Sequence, residues 1–185
     1  MPLSNLTTAA RRLRLRQTLR VRNFGRLLLR PIKPEDEPLM VQFHQALSEE
    51  TIYQRYFGHI TLASRVRHER LARICTNDDD SFALVAVSPG TPKQPAAIFA
   101  VGRLSRTLTP QSADFALLVN DRVQGHGIGS ALMKRLMTLA RACGFRQLTG
   151  EVLVANHEML YVCRHFGFTL QTLPEDGLVH VALDL

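Results

Sequence analysis

The sequence lacks several features that each define a class of protein. None of its apolar runs approaches the length of a membrane span. Its three cysteines form neither a C-x-x-C pair nor a metal-ligand spacing, and its seven histidines suggest no metal site. Internal repeats, low-complexity stretches and a signal peptide are also missing. These absences argue against membrane, zinc-binding and repeat proteins, and they predict a cytoplasmic protein built around one domain.

Acidic residues are missing from the first 34 positions, which hold nine basic side chains. The rest of the chain has 14 basic and 16 acidic side chains, a balance of −2, although the whole chain carries +7. The positive charge therefore belongs to an N-terminal segment. We predict a flexible basic arm over residues 1–25 and one globular domain over residues 26–185. The arm is open to several interpretations: a solvated extension, a transit peptide, or a contact for an acidic partner, a membrane surface or nucleic acid.

Short apolar runs alternate with helical periodicity along residues 26–185. The runs that read as strands are 27–32, 82–87, 96–104, 113–119, 147–154, 168–171 and 178–185. The stretches with apolar side chains every three or four residues read as helices, and they are 35–47, 48–57, 64–74, 128–143 and 156–165. This order of elements predicts an α/β (α+β) fold in which a mixed sheet is flanked by helices.

A glycine-rich loop separates the fourth predicted strand from the longest predicted helix. It reads Gln124-Gly125-His126-Gly127-Ile128-Gly129-Ser130. Glycine allows a backbone to approach an anion closely, and the N–H groups at a helix start attract negative charge. The loop therefore predicts a ligand that carries phosphate.

Two familiar phosphate-binding loops have a different pattern. A P-loop places a lysine directly after its last glycine, and no lysine follows Gly129. A Rossmann loop has the spacing G-x-G-x-x-G after the first strand of its unit, whereas these glycines alternate and follow the fourth strand. The pattern that remains is Gln-x-x-Gly-x-Gly between a strand and a helix.

This pattern resembles the acyl-CoA pyrophosphate loop of the GNAT N-acetyltransferase superfamily, Gln/Arg-x-x-Gly-x-Gly/Ala. A second motif is similar as well, because Asn156 precedes Gly167-Phe168 as in the family's Asn-(x)10-Gly-Phe ending. Residues 28–37, 53–58 and 148–153 resemble the acyltransferase domain of bacterial Pat-type protein lysine acetyltransferases. The resemblance covers about residues 26–185. It implies a GNAT fold with a mostly antiparallel sheet of six to seven strands, and an N-acyltransferase that uses acetyl-CoA as co-substrate and no metal.

The resemblance also implies which residues bind the co-substrate. Backbone groups at the end of the fourth predicted strand would pair with the pantetheine arm, and the glycine loop would hold the pyrophosphate. Asn156 would contact the pantetheine or cap its own helix. The candidate binding residues are Leu117, Leu118, Val119, Gln124, Gly125, His126, Gly127, Ile128, Gly129, Ser130 and Asn156.

Acyl transfer to an amine needs a bound thioester, a deprotonated amine and a proton for the leaving thiolate. A lysine with a pKa of ~10.4 is only about 0.04% neutral at pH 7, so a base is useful. The position of the implied family base is Asp114, with a structural acid paired to an arginine as the alternative interpretation. Glu151 is the second candidate. Many members of the family have a tyrosine that acts as the general acid, and Cys163 occupies its position here. In one interpretation Cys163 donates the proton to the thiolate. In the other it is a core residue, and solvent donates the proton.

The acyl acceptor is less well specified by the sequence. Tyr53, Arg55, Tyr56 and Phe57 are candidate wall residues of its site, or else core residues. The acidic cluster Asn77–Asp80 would attract a cationic acceptor or form a solvated turn. We expect transfer to a primary amine, with a protein lysine as first choice and a small molecule as second. A non-catalytic acyl-CoA-binding module is the alternative function, and the sequence is compatible with a monomer or a dimer.

Overall fold

The computed structural model describes residues 5–13, 15–21, 24–92, 95–173 and 177–185. Within these ranges, seven α-helices and eight β-strands follow one another along the chain. The helices are α1 (Leu6–Arg12), α2 (Glu37–Gln45), α3 (Glu49–Tyr56), α4 (Leu62–Arg65), α5 (His68–Ile74), α6 (Ile128–Cys143) and α7 (His157–His165). The strands are β1 (Gln17–Val21), β2 (Gly25–Pro31), β3 (Ser81–Ser88), β4 (Ala97–Arg106), β5 (Ser112–Val119), β6 (Gln147–Leu153), β7 (Thr169–Leu173) and β8 (Leu178–Asp184).

All eight strands form one sheet in the order β1-β2-β3-β4-β5-β6-β8-β7. Every neighbouring pair is antiparallel except β5 and β6, which run parallel. This confirms the predicted mixed, mostly antiparallel sheet flanked by helices. The sheet has eight strands rather than six to seven, because β1 adds to its edge beside β2.

Helices cover both faces of the middle of the sheet. On one face α1 and α6 pack over a core that includes Leu132 and Leu136 of α6. On the other face Met40 and Phe43 of α2 belong to a second core. Residues 82–87 of β3 are all buried, since a strand that is covered on both faces needs apolar side chains on both. None of the described helices is both long enough and apolar enough to cross a bilayer.

The N-terminal segment, for which the sequence predicts a flexible arm, contains α1 and β1 in the structure. Asn5 caps α1 by accepting hydrogen bonds from two backbone N–H groups of its first turn. Leu6 of α1 is 0% exposed, and Val21 of β1 reaches the same core. Gln17 accepts two hydrogen bonds from the guanidinium of Arg135 on α6, at 2.8 and 3.0 Å. Residues 5–13 and 15–21 therefore pack on the sheet and on α6.

The physical reason is an apolar pattern that the arginines obscure. Leu6, Ala9, Ala10 and Leu13 recur at helical spacing, and the two alanines are buried against α6 while Arg11 and Arg12 face solvent. The composition of the segment is basic, but its buried face is apolar. The other positions of the predicted arm, residues 1–4, 14, 22 and 23, lie outside the described residues.

Candidate active site

The parallel strands β5 and β6 pair only at their beginnings. Ser112–Asp114 lie opposite Gln147–Thr149, and the described residues show no further pairing between these two strands. The ring of Phe115 lies against Gly150 of β6, where an added Cβ would be 2.8 Å from the Cε1 atom of the ring. Phe115 also contacts Phe168 edge-on, with ring centroids 5.3 Å apart. Among the described residues β5 and β6 are unpaired beyond Asp114 and Thr149, which leaves β5 with a free backbone edge, and the Phe115 ring packs over Gly150 in the core on the α6 side of the sheet.

The glycine loop turns from the end of β5 into α6. Gly125 and Gly127 have φ angles of 71° and 79°, a left-handed backbone that residues with a Cβ rarely adopt. Gly127 is the N-cap of α6, and no side chain in the described chain makes a capping hydrogen bond there. The first N–H groups of the helix therefore remain free to bind an anion, which the positive end of the helix also favours.

Gly129 lies in the first turn of α6 with open space beside it. Apart from its own helix and chain neighbours, a Cβ at this position would meet only the Cγ2 atom of Val119, at 3.8 Å. The φ angle of Gly129 is not in the left-handed region. Neither the backbone conformation nor the packing of the protein therefore requires glycine here, and the missing side chain leaves room for a ligand against the backbone.

The free strand edge and the glycine loop open into one cleft of about 530 Å³. This cleft brings together ten of the eleven predicted binding residues. They are Leu117, Leu118, Val119, Gln124, Gly125, Gly127, Ile128, Gly129, Ser130 and Asn156. The eleventh, His126, does not line the cleft. Its ring N–H at Nδ1 donates to the backbone oxygen of Gln124 at 2.7 Å, and its ring meets Phe24 edge-on.

Two of the lining side chains hold the cleft together. The amide of Gln124 donates to the hydroxyl of Thr51 and to the backbone oxygen of Val119, both at 3.1 Å. The side-chain oxygen of Asn156 accepts a hydrogen bond from the backbone N–H of Met159 at 3.0 Å, so it caps α7. Gln124 thus ties the loop to α3 and to the end of β5, and it also lines the cleft.

The sequence did not predict the residue that anchors the loop to α3. Asp121 accepts hydrogen bonds from the backbone N–H and hydroxyl of Ser48 and from the hydroxyl of Thr51, the last at 2.7 Å. Burial acts to raise the pKa of Asp121, but these hydrogen bonds outweigh it and lower the pKa from its ordinary value. Ser48 is recognisable as a helix cap, whereas its partner lies 73 residues away along the chain.

Asp114 and Glu151 lie on the same face of the sheet, where β5 and β6 separate. Asp114 is exposed and accepts a hydrogen bond from the hydroxyl of Thr149, its neighbour on β6. Glu151 follows Thr149 by two residues, so the alternation of side chains places it on that face as well. Glu151 is also exposed, and it lies opposite His180 in the register of the antiparallel strands β6 and β8. Two carboxylates are therefore available beside the free edge of β5.

Cys163 lies in the core, away from the cleft. It is 0% exposed, and burial raises the pKa of its thiol to about 12. This geometry fits a small core residue, the alternative interpretation of Cys163. Tyr161, two residues earlier on α7, is 69% exposed and lines the cleft. Tyr161 is not expected from the sequence to replace the family's tyrosine at position 163, because it lies about 200° around the helix from that position.

The cleft fits an elongated ligand with a diphosphate. The uncapped start of α6 offers N–H groups to the anion, and Gly129 leaves the space for it. The free edge of β5 offers backbone groups to an extended chain, as an added strand would use them. Among the described residues, no three His, Cys, Asp or Glu side chains are grouped as metal ligands.

Residues 26–169 match the sequence model of a family described as acetyltransferase (GNAT) domain. The chain belongs to the GNAT acetyltransferase family. This GNAT enzyme is 29% identical over 151 residues to acetyltransferase PA5475 of Pseudomonas aeruginosa, a match that covers 82% of this chain and 79% of the relative. It transfers an acyl group from acyl-CoA, and acetyl-CoA is the co-substrate of its family.

Solved structures of other GNAT proteins share the fold. The GNAT domain of S. lividans PAT is 29% identical, with a TM-score of 0.79 over 92% of this chain and 97% of that domain. Mycobacterium smegmatis RimJ in complex with CoA-disulfide is 18% identical, with a TM-score of 0.66 over 91% of this chain and 86% of RimJ. The second comparison supports the fold alone.

The predicted wall residues of this GNAT enzyme divide into two groups. Arg55 and Tyr56 line a second pocket, on the side of β5 that faces α2 and α5, together with Asp78 and Asp80 of the acidic cluster. Tyr53 and Phe57 do not line that pocket and are 43% and 40% exposed. Asp79 does not line this pocket, and it accepts hydrogen bonds from the side chains of Asn5 and Thr7 at the start of α1.

Proposed function

We propose that this GNAT enzyme moves an acetyl or related acyl group from acyl-CoA to a primary amine by direct attack. One observation carries the proposal: the free edge of β5 and the uncapped start of α6 open into the same cleft. A strand edge suits the pantetheine arm, and a helix start suits the pyrophosphate. The two surfaces together match the two chemically different parts of coenzyme A.

The backbone of Leu117–Val119 would hold the pantetheine arm, and the loop Gln124–Ser130 would hold the pyrophosphate. Asn156 would keep the start of α7 in place beside the pantetheine through its capping hydrogen bond. This arrangement leaves the thioester near the point where β5 and β6 separate. The attacking amine would then enter beside Asp114.

In the reaction the amine nitrogen attacks the thioester carbonyl. A C–N bond forms, the C–S bond breaks, coenzyme A leaves as a thiolate, and the amine loses a proton. Asp114 accepts this proton, directly or through a water, with Glu151 as the second candidate. Solvent returns a proton to the thiolate, because Cys163 is buried in the core with a raised pKa.

Release of thiol from acetyl-CoA tests the proposal. Purified protein is incubated with acetyl-CoA and a panel of primary amines and lysine peptides, and free thiol is measured together with the acetylated product. We expect release that depends on the amine and equals the amount of product. Tight binding of acetyl-CoA without release from any amine would favour the alternative of a non-catalytic acyl-CoA-binding module.

A further inference from the structure

A second pocket of about 330 Å³ lies beside the acyl-CoA cleft. It is enclosed by α2, α3, α5 and the strands β3–β5. Arg55, Leu117 and Leu118 line both the pocket and the cleft, so the two spaces meet at β5. Ala116 also lines the pocket, and Asp114 precedes it by two residues on the same face, about 7 Å along the strand. The pocket is therefore placed to hold the acceptor while its amine reaches the thioester.

Four arginines contribute to the walls of this pocket. Those that line it are Arg55, Arg70, Arg73 and Arg103. The guanidinium carbons of Arg55 and Arg70 each lie 5.4 Å from the centre of the Tyr56 ring. The Nε atom of Arg70 is buried and has no hydrogen-bond partner among the described residues. Arg103, in contrast, donates to the hydroxyl of Ser81 at 2.6 Å and to the backbone oxygen of Ile74.

These positive charges are costly to hold together. Burial lowers the pKa of Arg55, while Tyr56 acts to raise it and the charge of Arg70 acts to lower it further. Burial also lowers the pKa of Arg103, while Asp78 and Cys75 act to raise it and Arg55 and Arg73 act to lower it. No carboxylate within the described chain forms a salt bridge with Arg55 or Arg70. An anionic ligand would offset this repulsion and satisfy the buried Nε of Arg70.

The carboxylates of the pocket lie towards the catalytic end. Asp78 accepts hydrogen bonds from the backbone N–H groups of Asp80 and Ser81, at 3.0 and 2.7 Å. Ser81 pairs with Ser105 of β4, and Ser105 pairs with Asp114 of β5. The pocket thus has Asp78 and Asp80 at the end near Asp114, where Arg103 also lies, and it has Arg55 and Arg70 around Tyr56. A molecule with an ammonium group and a separate anionic group matches this distribution, whereas a polyamine does not.

We propose that the acceptor is a small primary amine that also carries a carboxylate or phosphate, and that the Arg55–Tyr56–Arg70 cluster binds this anionic group. The proposal rests on the proposed acyltransferase function and specifies its substrate class. It favours a small amphoteric amine over a protein lysine, because Arg55, Arg70 and Arg103, which line the pocket, are partly buried.

Matched pairs of amines test the proposal in the thiol-release assay. The pairs are γ-aminobutyrate with n-butylamine, O-phosphoethanolamine with ethanolamine, and a lysine peptide flanked by glutamates with one flanked by glutamines. For the wild type we expect kcat/KM to be about 10- to 100-fold higher for γ-aminobutyrate than for n-butylamine, and for O-phosphoethanolamine than for ethanolamine. This factor is the usual contribution of a hydrogen bond to a charged group. The kcat/KM values of these two anionic amines should also be higher than those of both peptides.

Arg70→Met should abolish most of this preference while acetyl-CoA affinity stays the same. Arg67→Met is the matched control, since Arg67 precedes the same helix and is exposed beside Glu69. The ratio of kcat/KM values within a pair does not depend on the fraction of folded protein, so an unstable variant still gives an answer.

The possible failures can be distinguished. Acetyl-CoA binding without thiol release from any amine or peptide would contradict the proposed function itself. Equal kcat/KM values within each pair, or a preference for peptides that Arg70→Met retains, would overturn the substrate class and leave the acyltransferase function intact. If Arg70→Met bound acetyl-CoA more weakly and kept the preference for anionic amines, the arginines would bind the coenzyme rather than the acceptor. This result would overturn the proposal.

Discussion

At the scale of single residues, Asp114 is the residue that we propose as the general base. Its carboxylate is exposed at the split between β5 and β6, and the Thr149 hydroxyl orients it. We expect Asp114→Asn to lower kcat by about 10²- to 10⁴-fold, the usual contribution of a general base, with unchanged acetyl-CoA affinity. Asp114→Glu should keep much of the activity, because it retains a carboxylate. Steady-state kinetics and calorimetry on the same samples measure both effects.

Glu151→Gln is the matched comparison for this prediction. Glu151 lies on the same sheet face but outside the hydrogen bond to Thr149. If Asp114→Asn turned over normally and Glu151→Gln lost its activity, the role of base would pass to Glu151.

His44 makes the stability of the protein depend on pH. It is 2% exposed, and burial, with Arg65 and Arg70 nearby, lowers its pKa from 6.5 to about 4. Between these values the unfolded chain binds a proton that the folded chain does not, so stability falls as the pH decreases from 6.5 to 4. The shift corresponds to about 3 kcal/mol. Urea unfolding at several pH values measures this decrease.

In His44→Gln the decrease over that interval should be smaller by about the same amount, ~3 kcal/mol. His59→Gln, a substitution of an exposed histidine, is the matched control for this substitution. An identical pH dependence in the wild type and His44→Gln would show that His44 is protonated in the folded protein.

At the scale of elements, the packing of β5 against β6 where their pairing ends involves one ring and one glycine. In Gly150→Ala the new Cβ would lie 2.8 Å from the Phe115 ring, which is itself held by Phe168. We expect a loss of about 1–3 kcal/mol in the free energy of unfolding, as for an overpacked core. Urea denaturation checks this value.

The double variant Gly150→Ala/Phe115→Leu should recover part of that loss, because a smaller side chain relieves the contact. A double-mutant cycle isolates the interaction between the two positions. Strictly additive effects would contradict a direct contact between the Phe115 ring and a side chain at position 150.

The sequence predicts the elements around the site well, because their patterns are local. The apolar run before Gly125 predicts β5, and the stripe through Leu132 and Leu136 predicts α6. The contacts between elements are different. The bond from Asp121 to Ser48 spans 73 residues, and the arginine pocket is assembled from α3, α5 and β4. Contacts of this kind leave no periodic signal in the sequence. Arg55 and Tyr56 are therefore predicted as wall residues, whereas Arg70 and Arg103 are not.

At the scale of the whole molecule, the N-terminal segment belongs to the packed structure. Its charge predicts an arm, but Leu6 is fully buried in the core beneath α6. We expect Leu6→Ala to cost about 2–5 kcal/mol of stability, as other large-to-small core substitutions do. Arg11→Ala, on the exposed side of α1, should change stability by less than about 0.5 kcal/mol. Thermal and urea unfolding of the two variants compare these positions.

Equal stability of the wild type and Leu6→Ala would support the predicted flexible arm instead. Nucleic-acid binding through the basic residues of this segment stays a prediction. It would appear as binding with a steep salt dependence that Arg11→Ser/Arg12→Ser weakens.

The central claim is that the glycine loop and the free edge of β5 bind acyl-CoA. Titration calorimetry with acetyl-CoA, on the wild type and on Gly129→Ala, tests it most directly. A methyl group at Gly129 fits the protein, and alanine favours the helix by up to about 1 kcal/mol, so the variant should be at least as stable. We predict one binding site in the wild type and at least about 10-fold weaker binding in Gly129→Ala, the equivalent of ~1.4 kcal/mol. Equal affinity of the two proteins, or no binding to the wild type at saturating acetyl-CoA, would contradict the claim.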